Sequence, residues 1–147
     1  MKPVRVVRAH LAAIAALEKE AFVHPWNEKS LELLCSDAAV GFVVMDGERA
    51  AAYVGMTFAA GEGTITNIAT SPDYRRQGLG AKVMEAAAEA ARERALSEIW
   101  LEVRESNAPA IALYEKFGFV AMGKRPRFYT DPVETAIMMM LSTKGEK

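Results

Sequence analysis

Apolar and polar positions in this chain repeat with a period of two over several short stretches and near 3.6 over several longer ones. Val4 to Arg8 alternates enough for a first strand. From His10 to Phe22, Leu11, Ile14, Leu17 and Ala21 fall at helical spacing and predict an amphipathic helix. Phe22-Val23-His24-Pro25-Trp26-Asn27 breaks it, and Asn27 suits the N-cap of a short helix from Glu28 to Cys35. Val40 to Met45 and Ala50 to Phe58 read as strands of a hairpin closed at Asp46-Gly47. Gly61-Glu62-Gly63 then turns into a β-branched run, Thr64 to Thr70, which Ser71-Pro72 stops.

A long helix is predicted from Leu79 to Ala95, with Leu79, Val83, Met84, Ala87 and Ala91 inward and Lys82, Glu85, Glu89 and Arg92 outward. Ile99 to Val103 follows as a strand. Asn107 caps a further helix, with Pro109 in its first turn and Gly118 at its end. Phe119 to Met122 and Ala136 to Leu141 complete about seven strands and four helices. A hairpin meander followed by two strand–helix units predicts a mixed sheet with helices on both faces, an α+β layered architecture.

Composition narrows the picture. The 147 residues, 51% hydrophobic and 25% charged, suit one globular domain spanning 1–147. A net charge of −1 gives no bulk attraction to nucleic acid. The single cysteine, Cys35, excludes an internal disulfide and suits a reducing cytoplasm. No apolar run approaches the roughly 20 residues of a membrane span. No signal peptide is expected at Met1-Lys2-Pro3-Val4, and Thr143 to Lys147 reads as a frayed tail. His10 and His24 lack metal-ligand spacing, so no metal site is expected.

The chemistry centres on Arg75-Arg76-Gln77-Gly78-Leu79-Gly80, a glycine-punctuated turn between a strand and a helix N-terminus. The first amides of a helix lack internal partners and its dipole favours negative charge, so the turn is a candidate phosphate site. Without a Cβ, Gly78 and Gly80 are expected to let a phosphate approach, and Arg75 and Arg76 add positive charge at the rim. A Walker A loop would need Gly-Lys-Ser/Thr, but Ala81-Lys82 follows Gly80. A dinucleotide fingerprint would need a third glycine at Val83.

Strand alternation puts Leu101 and Val103 on one face and Trp100, Glu102 and Arg104 on the other. With both faces covered, Glu102 is a desolvated carboxylate suited to act as a base; otherwise it is a strand-end glutamate paired with an arginine. Tyr114 shares a helix face with Ala110, Leu113 and Phe117, and is either a core aromatic or a proton donor. Asn107 is a cap or a ligand contact. Cys35, with no histidine beside it, reads as a small buried hydrophobe rather than a nucleophile.

The turn at Arg75–Gly80 resembles the pyrophosphate loop of the GCN5-related N-acetyltransferases, the GNAT family. The run from Leu101 through Glu102, Asn107, Tyr114 and Gly118-Phe119, at its spacing behind that turn, makes the resemblance far more specific. Phe22 to Leu31 and Ala136 to Met139 match that family's early and terminal segments, so the likeness spans nearly the whole chain. Within the family it resembles the bacterial enzymes that acetylate the N-terminal alanine of ribosomal protein S18. The resemblance implies a mostly antiparallel seven-stranded GNAT sheet, acetyl-CoA as co-substrate without a metal, and a protein N-terminus as partner, with no nucleic-acid or membrane contact.

It further implies that Glu102 is the general base and Tyr114 the general acid. Ile68, Ala69 and Thr70 would offer backbone groups to the pantetheine arm. Arg76, Gln77, Gly78, Leu79, Gly80 and Ala81, with Arg75 at the rim, would cradle the pyrophosphate, and Asn107 would also touch CoA. Trp26, Phe128 and Tyr129 would grip the acceptor. One departure bears on specificity: the family's Arg-x-Tyr-Tyr-Pro-like run is here Arg125-Pro126-Arg127-Phe128-Tyr129-Thr130, followed by a shorter loop. A small amine as acceptor, or a non-catalytic acyl-CoA-binding module, are the alternatives. The joint presence of Glu102 and Tyr114 argues against the second.

Overall fold

A computed structural model describes residues 1–143. In chain order the elements are β1 (Val4–Arg5), α1 (Leu11–Ala21), α2 (Glu28–Leu31), β2 (Ala39–Asp46), β3 (Arg49–Ala59) and β4 (Glu62–Thr70). Then come α3 (Leu79–Glu93), β5 (Glu98–Arg104), α4 (Ala108–Phe117), β6 (Val120–Tyr129) and β7 (Glu134–Ser142). Short 3₁₀ turns cover Arg8–His10, Glu32–Cys35 and Pro72–Tyr74. The seven strands form one sheet in the order β1-β2-β3-β4-β5-β7-β6, antiparallel throughout except where β4 meets β5. This is the expected mixed, mostly antiparallel sheet.

Two apolar layers sandwich the sheet. On one face α3 and α4 pack Leu79, Val83, Met84, Ala87 and Tyr114 against Val40, Val54, Ile65, Ile99, Leu101 and Met139. On the other, α1 and α2 pack Leu11, Ile14, Leu17 and Leu31 against Val43, Tyr53 and Ala69. Burying a side chain such as Ile14 or Met84 contributes about 1.5–3 kcal/mol, so the two layers hold the helices against the sheet. Asn27 Oδ1 accepts from Ser30 N at 2.8 Å and Asn107 Oδ1 from Ala110 N at 3.2 Å, so both act as the N-caps expected. Gly118, at φ 110, ends α4 in the left-handed conformation that glycine adopts freely.

Several boundaries differ from expectation. β1 has only two residues, because Arg8–His10 turns before α1. The β2–β3 turn is Gly47-Glu48, with Gly47 at φ 62, so Asp46 belongs to the strand and pairs with Arg49. β6 runs to Tyr129 instead of stopping at Met122, which places Phe128 and Tyr129 on a strand. Thr143 is not frayed: its amide donates to Ser97 O at 3.1 Å and its hydroxyl to Leu96 O. The rest of the predicted tail lies outside the described residues.

Candidate active site

The single parallel pair creates the site. β4 and β5 are in register only from Glu62–Thr64 against Glu98–Trp100. Past that point they diverge, leaving a cleft of roughly 630 Å³ between Ile65–Ile68 on one side and Leu101–Arg104 on the other. Such a volume suits an organic ligand. Its mouth is bordered by the Phe22–Trp26 loop and by Phe128–Pro132.

Divergence also frees backbone groups. Ser71 N donates to Ala51 O at 2.8 Å, and the β3–β4 register places Tyr53 opposite Ala69 and Val54 opposite Ile68. Antiparallel strands alternate bonded and non-bonded pairs, so the main chain of Ala69 is taken by Tyr53, while Ile68, which lines the cleft, and Thr70 turn their N–H and C=O groups away from β3. Of the three residues expected to offer backbone groups, Ala69 therefore drops out. The β-bulge at Thr66 sets this phase, since Gly55 pairs with Asn67 but Met56 with Ile65.

The glycine turn follows directly. Gly78, at φ 72, is the N-cap of α3 and has no capping side chain; the first helical bond is Lys82 N to Gly78 O at 3.1 Å. The amides of Leu79, Gly80 and Ala81 are thus left for an anion, and Arg75, Arg76 and Gln77 stand exposed around them. The two glycines have different surroundings. A Cβ on Gly78 would meet nothing within 4 Å, so that side of the turn is open. A Cβ on Gly80 would come within 3.3 Å of Leu113 Cδ2, so the missing side chain there also lets α3 pack closely on α4.

Glu102 lies on the cleft wall, on the face of β5 opposite Leu101 and Val103. It is partly buried rather than enclosed. With β4 no longer paired to β5 at this level, although β7 is, its side chain keeps 30% of its exposure, 3.7 Å from Arg125 Nη1. Tyr114 lines the same cleft from α4 but is buried, and burial pushes its phenol up to about 12, with a smaller contribution from Tyr129. Capping uses Oδ1 of Asn107, and its Nδ2 has no hydrogen-bond partner among the described residues beside the cleft.

Arg104, which sequence reasoning passed over, builds the far wall. It donates to Pro132 O and Thr130 O, each at 2.9 Å, pairs with Glu134 Oε1 at 3.2 Å, and lies 4.5 Å from the Tyr129 ring centroid. Phe128 packs edge-on to Tyr129 at 5.0 Å. Across the mouth, His24 Nε2 meets Asp131 Oδ2 at 2.6 Å.

Glu18 was also missed. It occupies the apolar stripe of α1 four residues after Ile14, where Ala21 had been expected to lie; Ala21 is exposed, whereas Glu18 is 1% exposed. A carboxylate inside a hydrophobic stripe was the available signal.

Residues 11–119 match the acetyltransferase (GNAT) family. The chain belongs to the GNAT acetyltransferase family. It is 38% identical over 133 residues to the ribosomal protein bS18-alanine N-acetyltransferase of Escherichia coli K12, covering 89% of this chain and 90% of that one. Its counterpart in Salmonella typhimurium is 35% identical over 133 residues, with the same coverage. The crystal structure of the E. coli enzyme superposes with a TM-score of 0.89 at 35% identity, covering 99% of this chain and 97% of that one. This acetyltransferase therefore resembles the E. coli ribosomal protein bS18-alanine N-acetyltransferase in sequence and fold.

Alkaline stability checks the Tyr114 environment. An unfolded phenol loses its proton near pH 10, whereas the folded one holds it to about 12. Stability from this group is therefore full below pH 10 and lost as pH rises through about 12. Tyr114→Phe should remove that loss, making the variant's decline between pH 9 and 11.5 shallower than wild type's by roughly 2 kcal/mol. Urea midpoints at the two pH values measure the difference.

Proposed function

We propose that this acetyltransferase uses acetyl-CoA to acetylate the α-amine of a protein N-terminus, the N-terminal alanine of ribosomal protein S18 being its target. The observation that carries the reading is one cleft joining a free strand edge, a carboxylate and a buried phenol, open at a mouth lined with aromatic side chains, with the strand of that free edge leading on through a short turn to the uncapped N-terminus of α3. Uncapped amides beside Arg75 and Arg76 suit a pyrophosphate, and the free edge of β4 suits the amides of a pantetheine arm. Acetyl-CoA, when bound, supplies an activated thioester.

The chain's own residues then do the following. The main-chain N–H groups of Ile68 and Thr70 polarise the carbonyl. Glu102 accepts the proton that the acceptor amine must lose, through water where the gap requires it. Tyr114 donates a hydrogen bond to the departing sulfur. A phenol at about 12 is a far weaker acid than an alkyl thiol near 8.5. Full proton transfer to a relaxed thiolate is therefore uphill by roughly 5 kcal/mol. Tyr114 acts by holding its proton against the sulfur as negative charge develops, and the final proton comes from solvent. Trp26, Phe128 and Tyr129 hold the first residues of an extended chain.

The test is CoA release with a peptide bearing N-terminal alanine against the same peptide blocked at its N-terminus and against a small polyamine. Turnover only with the free peptide supports the reading. Turnover only with the polyamine overturns it. The phosphate turn has its own check: Gly78→Val forces a β-branched residue into a left-handed conformation, a strain of about 1–2 kcal/mol, and places a side chain in the open space. Acetyl-CoA affinity by calorimetry should fall about tenfold or more with the circular dichroism unchanged.

A further inference from the structure

Glu18 is a buried carboxylate in the α1 stripe, and its three partners come from three separate elements. Trp26 N donates to Oε1 at 2.8 Å from the loop at the cleft mouth. The Tyr53 hydroxyl on β3 and Asn67 Nδ2 on β4, the latter at 3.2 Å, both donate to Oε2. Burial, followed by the Glu18 charge, raises the Tyr53 phenol well above its ordinary value, so it stays a donor. A carboxylate only accepts, so Asn67 must turn its nitrogen inward, and its buried Oδ1 has no partner among the described residues.

This arrangement is a poor way to stabilise a core. Around it lie Leu11, Ile14, Leu17 and Tyr53, where an apolar side chain of similar volume would pack without stranding an amide oxygen. What the carboxylate provides is geometry. It ties the main chain of Trp26, at the acceptor side of the cleft, to β4, whose next residue Ile68 begins the free edge. Phe22 and Val23 on the same loop are exposed, and the Trp26 side chain is only partly buried against this core.

We propose that Glu18 is a positioning residue of the acceptor site: it fixes the Trp26 loop to β4, and so sets where the acceptor chain lies relative to the thioester. This rests on the acceptor being a peptide that meets the Trp26 loop. Glu18→Gln keeps the shape but sets one amide group among three donors, so one of them loses its acceptor. Glu18→Leu removes all three bonds while keeping an apolar fill.

The experiment compares wild type and both variants in two assays. In the kinetic assay, the KM for an N-terminal-alanine peptide should rise at least tenfold while acetyl-CoA affinity by calorimetry stays within twofold. In the second, hydrogen exchange read by mass spectrometry, the Trp26 segment should exchange at least tenfold faster, with α3 unchanged. A merely structural role would move peptide KM and acetyl-CoA affinity together, or neither, and would overturn the proposal. Unchanged exchange at Trp26 in a folded variant would overturn it too. Exchange needs no acceptor, so it reads out even if wild type fails to acetylate the peptide, and that failure counts against the proposed substrate alone.

Discussion

Glu102→Gln is expected to lower turnover on a free N-terminal peptide by about 10²-fold or more, with acetyl-CoA affinity unchanged. Glutamine keeps the length and planarity of the side chain and removes its ability to accept a proton. Its place on the strand needs no change, because the backbone of Glu102 is registered against Met138 of β7. Loss of the contact with Arg125 has little weight: the pair is 3.7 Å apart, with side chains 56% and 30% exposed. Such surface pairs contribute about 0–1 kcal/mol. A fall in rate therefore reports chemistry rather than folding. Steady-state kinetics with calorimetry of acetyl-CoA binding separates the two. Turnover within threefold of wild type would return Glu102 to being a strand-end glutamate beside an arginine.

That alternative was open in the sequence for a physical reason. Alternation correctly separated Glu102 from Leu101 and Val103, because period two is a local property of a strand. How much water reaches Glu102 depends on where β4 goes, and the splay of a parallel pair is a tertiary outcome that no local pattern encodes. The same holds for the backbone donors. The run from Ile68 to Thr70 was legible as a strand entering a phosphate turn. Which of its amides face the cleft depends on a bulge at Thr66 and on pairing with β3.

Caps and turns were legible at Asn27, Asn107 and Gly118 because each acts within one turn of chain. β6 was cut short because Arg125-Pro126-Arg127 shows no apolar alternation. As the outermost strand it pairs only with β7, where a proline is tolerated and neither edge needs an apolar face. Glu18 was hidden by its neighbours, since Leu17 and Ala21 satisfied the helical period without it.

Selectivity for an α-amine over a lysine side chain is the second large effect expected. An amine attacks only through its lone pair, so the neutral fraction limits the rate. With pKa values of about 7.7–8.0 and about 10.4, roughly 10–20% of α-amines but only about 0.04% of lysines are neutral at pH 7. That is a ratio of several hundred, or about 3.5 kcal/mol. Among the residues lining the cleft, Glu102 and Glu18 are the glutamates, and Glu18 is already engaged by three donors. One partly exposed carboxylate offers modest help, enough for an amine of which roughly a tenth or more is already neutral and much less than a lysine needs. On a peptide with a free N-terminal alanine and one internal lysine, tandem mass spectrometry should find the acetyl group on the α-amine by at least a hundredfold at pH 7. The preference should narrow as pH rises from 8 to 10, because the α-amine is already neutral while lysine continues to gain. Equal labelling at pH 7, or a preference that does not change with pH, would show that the site selects its acceptor by contacts alone and that amine ionisation does not limit the rate.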